Sequence, residues 1–473
     1  MTAEHLKPFE RFRGKRGLVM GLGVFGGGIE SAKFLSRYCS HVLVTDLRDE
    51  SVLKESIDAL EGLRIEYRLG EHRKQDFEQA DVVIHSPAVR PDNPLLQAAR
   101  HHGAEVTMEM SLFIEACPAK TVGITGSNGK TTTALLAYEM LCEVMQRAQP
   151  ELEGRWAEPA GEPPRGNGKV WLGGNCGEPL LNKLEGMTSD DVVVLELSSF
   201  QLQDWHRIKK SSDISVITNI TPNHLDWHKD MAEYIWAKAA IYVYSTGSVI
   251  CNSERDELAQ LPRPNGVEFR GYSTHDAVAP RETLRLPGQF NWSNACAAMV
   301  ACKAICDADL VNGLKRFRGV EHRLEFCGEV NGARCFNDSI ATTPESTIAG
   351  LSAFDSGVHL LLGGSDKGLS YDALAKIIAE HCGIKGVYLQ GANADAIEAA
   401  ILRTGMAAPL TRFATFDAAC DAAFAALEPG DVFLMSPASA SFYEYAPHKR
   451  FTNFEHRGRY FKTLVQAHAS KTT

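Results

Sequence analysis

The stretch GITGSNGKTTT, residues 123–133, decides how this chain is read. It follows a short apolar run and leads into ALLAYEMLCEVMQ, so its glycines fall between a strand and a helix. Glycines at such a turn let backbone N–H groups converge on a phosphate, and the helix N-terminus adds positive potential. Gly126, Ser127, Asn128 and Gly129 form the loop, with Thr132 just inside the helix. Lys130 is placed to reach terminal phosphates, and the Thr131 hydroxyl to ligate Mg2+. Gly123 to Gly129 is one residue longer than the common phosphate loop. A plain structural turn is the alternative, and GSNGKTTT in that position speaks against it.

Strand and helix patterns alternate on both sides of this loop. Residues 15–115 carry GLVMGLG, HVLVTD and DVVIHSPAV as strands, with a helix pattern in GIESAKFLSRY. Residues 116–320 add VWLGG, DVVVLELSS and ISVITNI. Residues 321–473 add HLLLGGS, GVYLQG and DVFLMSP, each ending at Gly, Ser or Pro. Such alternation predicts α/β folding with largely parallel sheets. Ligand loops belong at the carboxyl ends of such strands. Three domains are expected: 1–115, Rossmann-like; 116–320, a P-loop ATPase-like parallel sheet; and 321–473, again Rossmann-like. The length of 473 residues agrees with that number at about 150 residues per domain. The Pro-, Gly- and Glu-rich segment 147–169 reads as an exposed insertion.

Composition excludes several classes. Lys and Arg number 49 against 59 Asp and Glu, a net charge of −10 that disfavours a nucleic-acid binder. No apolar run reaches the 18 or so residues of a membrane span, and MTAEHLKPFERFRGKR has no signal-peptide core. The twelve cysteines include no CxxC pair. They are expected as reduced thiols buried in cores, which suits the cytoplasm.

Gly21, Gly23 and Gly26 form a GxGxxG turn, and Asp46 ends the next strand. Alone this is a dinucleotide fingerprint, and it supports a rival reading as an NAD(P)-dependent oxidoreductase. The downstream phosphate loop, for which hydride transfer has no use, favours a nucleotide-diphosphate substrate at this turn. Glu196 ends an apolar strand in the same segment as the loop and could complete a Mg2+ site with Thr131. His224 ends another strand, where a structural role and a ligand role stay open. Lys238, in EYIWAKAAIY, reads by default as a snorkelling helix lysine.

Taken in order, GLGVFG, HSPAV, GITGSNGKTT, GGNCG, ELSSFQL, TNITPNHLDWH, AKAAIY, GQFNWSNACAA, GVEHRLE, NDSIAT, LLGGSDKG, SPASASF and NFEHRG resemble the Mur ligase family over nearly the whole chain. The resemblance implies an ATP-dependent amide ligase of peptidoglycan precursor synthesis. A carboxylate of UDP-N-acetylmuramoyl-L-alanine takes the γ-phosphate of ATP, and the amino group of D-glutamate then attacks the acyl phosphate. It implies ATP and two Mg2+ sites as cofactors, small-molecule partners only, and a monomer. Gly126, Lys130 and Thr131 would hold phosphates and Mg2+. Glu196, His224 and a carbamylated Lys238 would hold metal, with Lys130, His224 and Lys238 catalytic. Asn291 and Asn294 would face the ATP base, Arg323 its γ-phosphate and Asp338 its ribose. Val24, Phe25, Leu47, Ser86, Asn175 and Ser198 would hold the UDP-substrate. Thr342, Lys367, Ser441 and Phe454 would hold glutamate. The third domain is expected to close on ATP and exclude water.

Two features depart from the family pattern. Ile340 stands where the family carries a cation, and YEYAPHKR, 443–450, lengthens the chain before Phe454. His448, Lys449 and Arg450 are the expected substitutes for the missing charge. These departures leave L-glutamate or another amino acid as alternative substrates. A non-catalytic nucleotide-binding module is the remaining alternative. It is weakened because Lys130, Glu196, His224 and Lys238 are all present.

Overall fold

Strand sequences such as VVVLE and VHLLL are apolar without alternation, as expected where both faces of a parallel sheet are covered. A computed structural model shows three such sheets. It describes residues 4–24, 26–145, 168–225, 227–275, 277, 279–366, 368–446 and 448–470. Phe25, Lys367 and nearly all of the 147–169 segment lie outside the described residues.

The first sheet is built from β1 (Arg16–Met20), β2 (His41–Asp46), β3 (Ile65–Leu69), β4 (Val82–His85) and β5 (Glu105–Thr107). Its order is β3-β2-β1-β4-β5, all parallel. The second comprises β6 (Lys120–Thr125), β7 (Val170–Gly174), β8 (Val192–Glu196), β9 (Ile214–Ile217), β10 (Ser248–Asn252) and β11 (Glu268–Tyr272). Its order is β11-β10-β9-β6-β8-β7, also all parallel. The third comprises β12 (Glu325–Val330), β13 (Ala333–Asn337), β14 (Val358–Leu362), β15 (Ile384–Leu389), β16 (Leu410–Arg412) and β17 (Val432–Met435). Its order is β12-β13-β17-β14-β15-β16, with β12 antiparallel to β13. A hairpin of β18 (Glu444–Ala446) and β19 (Lys449–Arg450) holds the YEYAPHKR segment.

The chain forms two compact units. One holds the residues up to Pro280 together with Asn294–Leu314, and so the first two sheets. One apolar cluster runs through it, from Phe9, Phe34 and Val44 to Leu195, Trp205 and Ile217. Each such side chain contributes roughly 1.5–3 kcal/mol on burial. The other unit holds Arg281–Ser293 and the residues from Lys315 onward, with its own core around Leu360, Leu362, Val387 and Leu434.

All twelve cysteines are free thiols. Only Cys296, Cys302, Cys335 and Cys420 are fully buried and Cys382 is exposed, which corrects the expectation of uniformly buried thiols. Cys302 and Cys306, one turn apart on the helix and its end, bond to carbonyls rather than to each other. Among the described residues no helix is long and apolar enough to cross a membrane.

Candidate active site

Strand register assembles the first site. Ile124 of β6 pairs with Glu196 of β8, and Gly174 of β7 pairs with Glu196 from the other side. The loop after β6, the carboxylate ending β8 and the GGNCG turn after β7 therefore meet at one sheet edge. The helix Lys130–Met145 starts there.

The phosphate loop is held from β9. Asn219 accepts from the Asn128 N–H at 2.9 Å through Oδ1 and donates to the Asn128 carbonyl at 3.0 Å. Ser127 donates to the Thr221 carbonyl at 2.7 Å and shares a hydrogen bond of 2.9 Å with the Tyr234 hydroxyl. Gly129 has φ of +84°, and a Cβ there would come within 2.2 Å of Asn294 Oδ1. Asn294 thus packs on the loop. Lys130 Nζ donates to the Gly126 and Ser127 carbonyls, both at 3.1 Å, curling over the turn where phosphate oxygens would lie. Thr131 is partly exposed and Thr132 buried in the first turn of the helix.

Lys238 is 2% exposed, which overturns its default reading as a snorkelling side chain. Its Nζ donates to Thr125 Oγ1 at 3.1 Å and to the Gly126 carbonyl at 2.9 Å, and lies 4.8 Å from the centre of the Tyr234 ring. Burial, followed by the charge of Lys130, holds its pKa well below the ordinary lysine value, against the opposing pull of Glu196. Glu196 is also 2% exposed. Asn175 Nδ2 donates to its Oε1 at 3.3 Å, while Oε2 has no hydrogen-bond partner. A buried carboxylate oxygen left over beside a phosphate loop fits a hard divalent cation. His224 follows β9 with φ of +54°, its ring edge-on to Phe200 at 5.1 Å. Nearby, His228 is buried and its Nε2 pairs with Ser199 Oγ at 2.9 Å. Burial lowers its pKa.

Ser198 caps the helix Ser199–Ile208 in a reciprocal capping box with Gln201. Its hydroxyl is therefore committed locally, whatever contact its backbone makes. At the first glycine turn, Val24 and Leu47 are exposed at 47% and 67%, large apolar side chains open for a ligand. Ser86 Oγ accepts from the Ala88 N–H at 3.3 Å in the turn after β4. The Asp46 carboxylate accepts from the Gly23 N–H at 3.1 Å and from Arg48 Nε and Nη2, both at 3.0 Å. The carboxylate that a dinucleotide ribose would need is thus already engaged, and the oxidoreductase reading loses its key acceptor.

The remaining expected residues lie in the other unit. Asn291 is buried and donates to the Pro287 carbonyl at 2.7 Å, whereas Asn294, on the same helix, belongs to the first unit. Arg323 is exposed. Asp338 is 4% exposed and accepts from Ser436 Oγ at 2.7 Å and the Leu324 N–H at 3.2 Å. Burial pushes its pKa up to about 7. Its carboxyl is hydrogen-bonded within the protein. Thr342 and Phe454 are partly exposed, and Ser441 is buried. His448, Lys449 and Arg450 are exposed on the hairpin, with Arg450 donating to the Phe442 carbonyl at 2.9 Å.

Glu321, His322 and Glu325 have the spacing of a metal cluster. Lys462 Nζ sits 2.8 Å from a carboxylate oxygen of each glutamate and supplies the cation itself. The sequence reading missed Asn219, Tyr234 and Arg457. Asn219 stood at a strand end, where the rule that flagged His224 applied equally. Arg457 stood in the quoted NFEHRG.

The model of the Mur ligase MurD-like N-terminal domain matches residues 15–108. The Mur ligase middle domain matches 124–283, and the Mur ligase glutamate ligase domain matches 322–439. The UDP-N-acetylmuramoylalanine–D-glutamate ligase of Acetivibrio thermocellus is 36% identical, covering 97% of both chains. That of a Roseiflexus species is 36% identical over 96% of this chain and 99% of its own. Among solved structures, MurF ligase from Thermotoga maritima in complex with ADP aligns at TM-score 0.54 and 14% identity, covering 97% of this chain and 99% of that one. MurC from the same organism aligns at 0.53 and 18%, covering 96% and 99%. These two show the shared fold.

Proposed function

This chain belongs to the Mur ligase family, and from that premise we propose that it joins D-glutamate to UDP-N-acetylmuramoyl-L-alanine at the expense of ATP, in peptidoglycan precursor synthesis. It is an ATP-dependent ligase acting on small molecules. The observation that carries the assignment of its chemistry is the convergence of Lys130, Lys238 and Glu196 on the loop 125–130.

In the proposed reaction an alanine carboxylate oxygen attacks the γ-phosphorus and ADP leaves. The glutamate nitrogen then attacks the acyl carbon, phosphate leaves with that carboxylate oxygen, and the amine loses a proton. Three anionic groups must meet, so positive charge and oriented N–H groups have to offset their repulsion. Lys130 would exchange its two loop carbonyls for phosphate oxygens. Thr131, Glu196 and His224 would hold Mg2+, and Lys238 would join them as a carbamate. When bound, Mg2+ supplies charge neutralisation for the transferring phosphoryl group. The low pKa of buried Lys238 supports the carbamate, because only a neutral amine adds CO2. The open apolar side chains Val24 and Leu47 support a uracil site at the first glycine turn.

The proposed division of labour is 1–115 for the UDP-substrate, 116–320 for ATP and 321–473 for glutamate, with Thr342, Lys367, Ser441 and Phe454 forming the glutamate pocket. A monomer suffices, since one chain carries every element. The assignment is tested by phosphate release with Mg-ATP and UDP-N-acetylmuramoyl-L-alanine, run with D-glutamate, L-glutamate and no amino acid. Release with D-glutamate alone is expected. Release with L-glutamate alone, or with neither, would overturn the substrate.

A further inference from the structure

Arg457 is fully buried, yet it forms no salt bridge among the described residues. Its guanidinium donates only to neutral groups. Nε bonds Ser339 Oγ at 2.9 Å and Nη2 the Ser339 carbonyl at 2.8 Å. Nη1 bonds the carbonyls of Ser439 at 3.1 Å and Ala440 at 3.4 Å. Ser339 Oγ in turn donates to the Phe454 carbonyl at 2.8 Å. One planar fork thus ties together three chain segments. They carry Thr342, Ser441 and Phe454, the residues proposed to hold glutamate.

The placement is costly. A buried cation usually takes a carboxylate partner. Arg457 also lies in the first turn of the helix Phe454–Ala469, where the macrodipole disfavours positive charge. Asp338, the nearby carboxyl, acts on Arg457 through space but makes no direct bond to it, its oxygens accepting from Ser436 and Leu324. Fixing the loops alone would not require a charge, because neutral donors can bond carbonyls. A buried cation with no direct ion pair, beside a pocket for a dicarboxylate, has a use: an anionic ligand adds to the charge balance.

Resting on the glutamate-pocket reading above, we infer that Arg457 is a positioning residue for the amino-acid substrate. It fixes the 339–342 and 439–441 segments through its fork, and its charge holds the potential there positive for an anionic ligand. Ile340 adds no cation, which leaves this buried one more of the work.

The test is steady-state kinetics of the full chain, varying ATP, UDP-substrate and D-glutamate in turn, for Arg457→Lys, Arg457→Met and Ser441→Ala, with thermal melts of each. Arg457→Met is expected to raise the glutamate KM about tenfold or more, with the other two KM values within about twofold. Arg457→Lys, which keeps the charge and loses the fork, is expected to recover part of that rise. A folded Met variant with unchanged glutamate KM, or with all three KM values rising together, overturns the inference. Should Arg457→Met fail to fold, Arg457→Lys decides: a selective rise of about threefold upholds the inference, and an even rise or none overturns it. If Ser441→Ala raises the glutamate KM and the Arg457 variants do not, the inference fails and the pocket stands. If none of them moves it, both fail.

Discussion

Lys238 and Lys130 donate to the same acceptor, the carbonyl oxygen of Gly126, at 2.9 and 3.1 Å. Two ammonium groups on one buried carbonyl repel, and burial resolves the conflict by disfavouring the charged form of Lys238. The loop thus presents Lys130 to phosphate, while burial and the charge of Lys130 favour the neutral form of Lys238.

Replacing Lys238 by Met removes that amine at nearly constant volume. Phosphate release should fall about 100-fold or more, since a group acting on transferring charge is lost. The melting temperature should hold or rise, because a costly buried polar group is gone. A Met variant of ordinary activity would contradict the role of Lys238.

Gly129→Ala probes the loop itself. With φ of +84° and Asn294 Oδ1 2.2 Å from the added methyl, the loop must shift to admit it. ATP affinity measured by calorimetry should drop about tenfold or more, a cost of backbone strain plus displaced contact of roughly 1–3 kcal/mol. Unchanged affinity would mean that the loop is not the ATP site.

Glu109 gives a pH signature. Burial pushes its pKa up to about 7, while its Oε1 accepts from the Leu181 N–H at 3.2 Å. Its folded pKa exceeds the unfolded value of about 4.3, so the folded state binds the extra proton and stability falls as pH rises from about 4.3 to 7. Glu109→Gln keeps an acceptor and never ionises. It should match the parent at pH 4 and exceed it at pH 8 by about 1–2 kcal/mol in denaturant melts. An equal difference at both pH values would contradict this.

The hairpin cations bear on Ile340. Replacing His448, Lys449 and Arg450 together by Ala should raise the glutamate KM several-fold at low salt. The gap should narrow near 1 M salt, where exposed charges are screened within about 3 Å. An unchanged glutamate KM at low salt would show that the hairpin does not replace the missing charge.

The sheets and the phosphate loop were legible because their signals are local. Apolar strands, glycine turns and helix starts lie within a few residues of one another around 21–26 and 123–133. Lys238 was misread from periodicity alone, since a helix pattern does not reveal that its inner face meets a phosphate loop; the family resemblance corrected it. Ser198 and Asp338 show the opposite limit. Their types suit ligand contacts, yet a capping box with Gln201 and a hydrogen bond from Ser436 engage them within the protein. Arg457 could not be read, because Ser339 and Ser439, the groups that give it meaning, lie 118 and 18 residues away.

The acyl-phosphate route makes one atom traceable. UDP-N-acetylmuramoyl-L-alanine carrying 18O in its alanine carboxylate, turned over with Mg-ATP and D-glutamate, should release phosphate that holds one 18O per labelled oxygen transferred. Phosphate free of label, with amide product formed, would contradict activation of the carboxylate at the loop that Lys130 and Lys238 share.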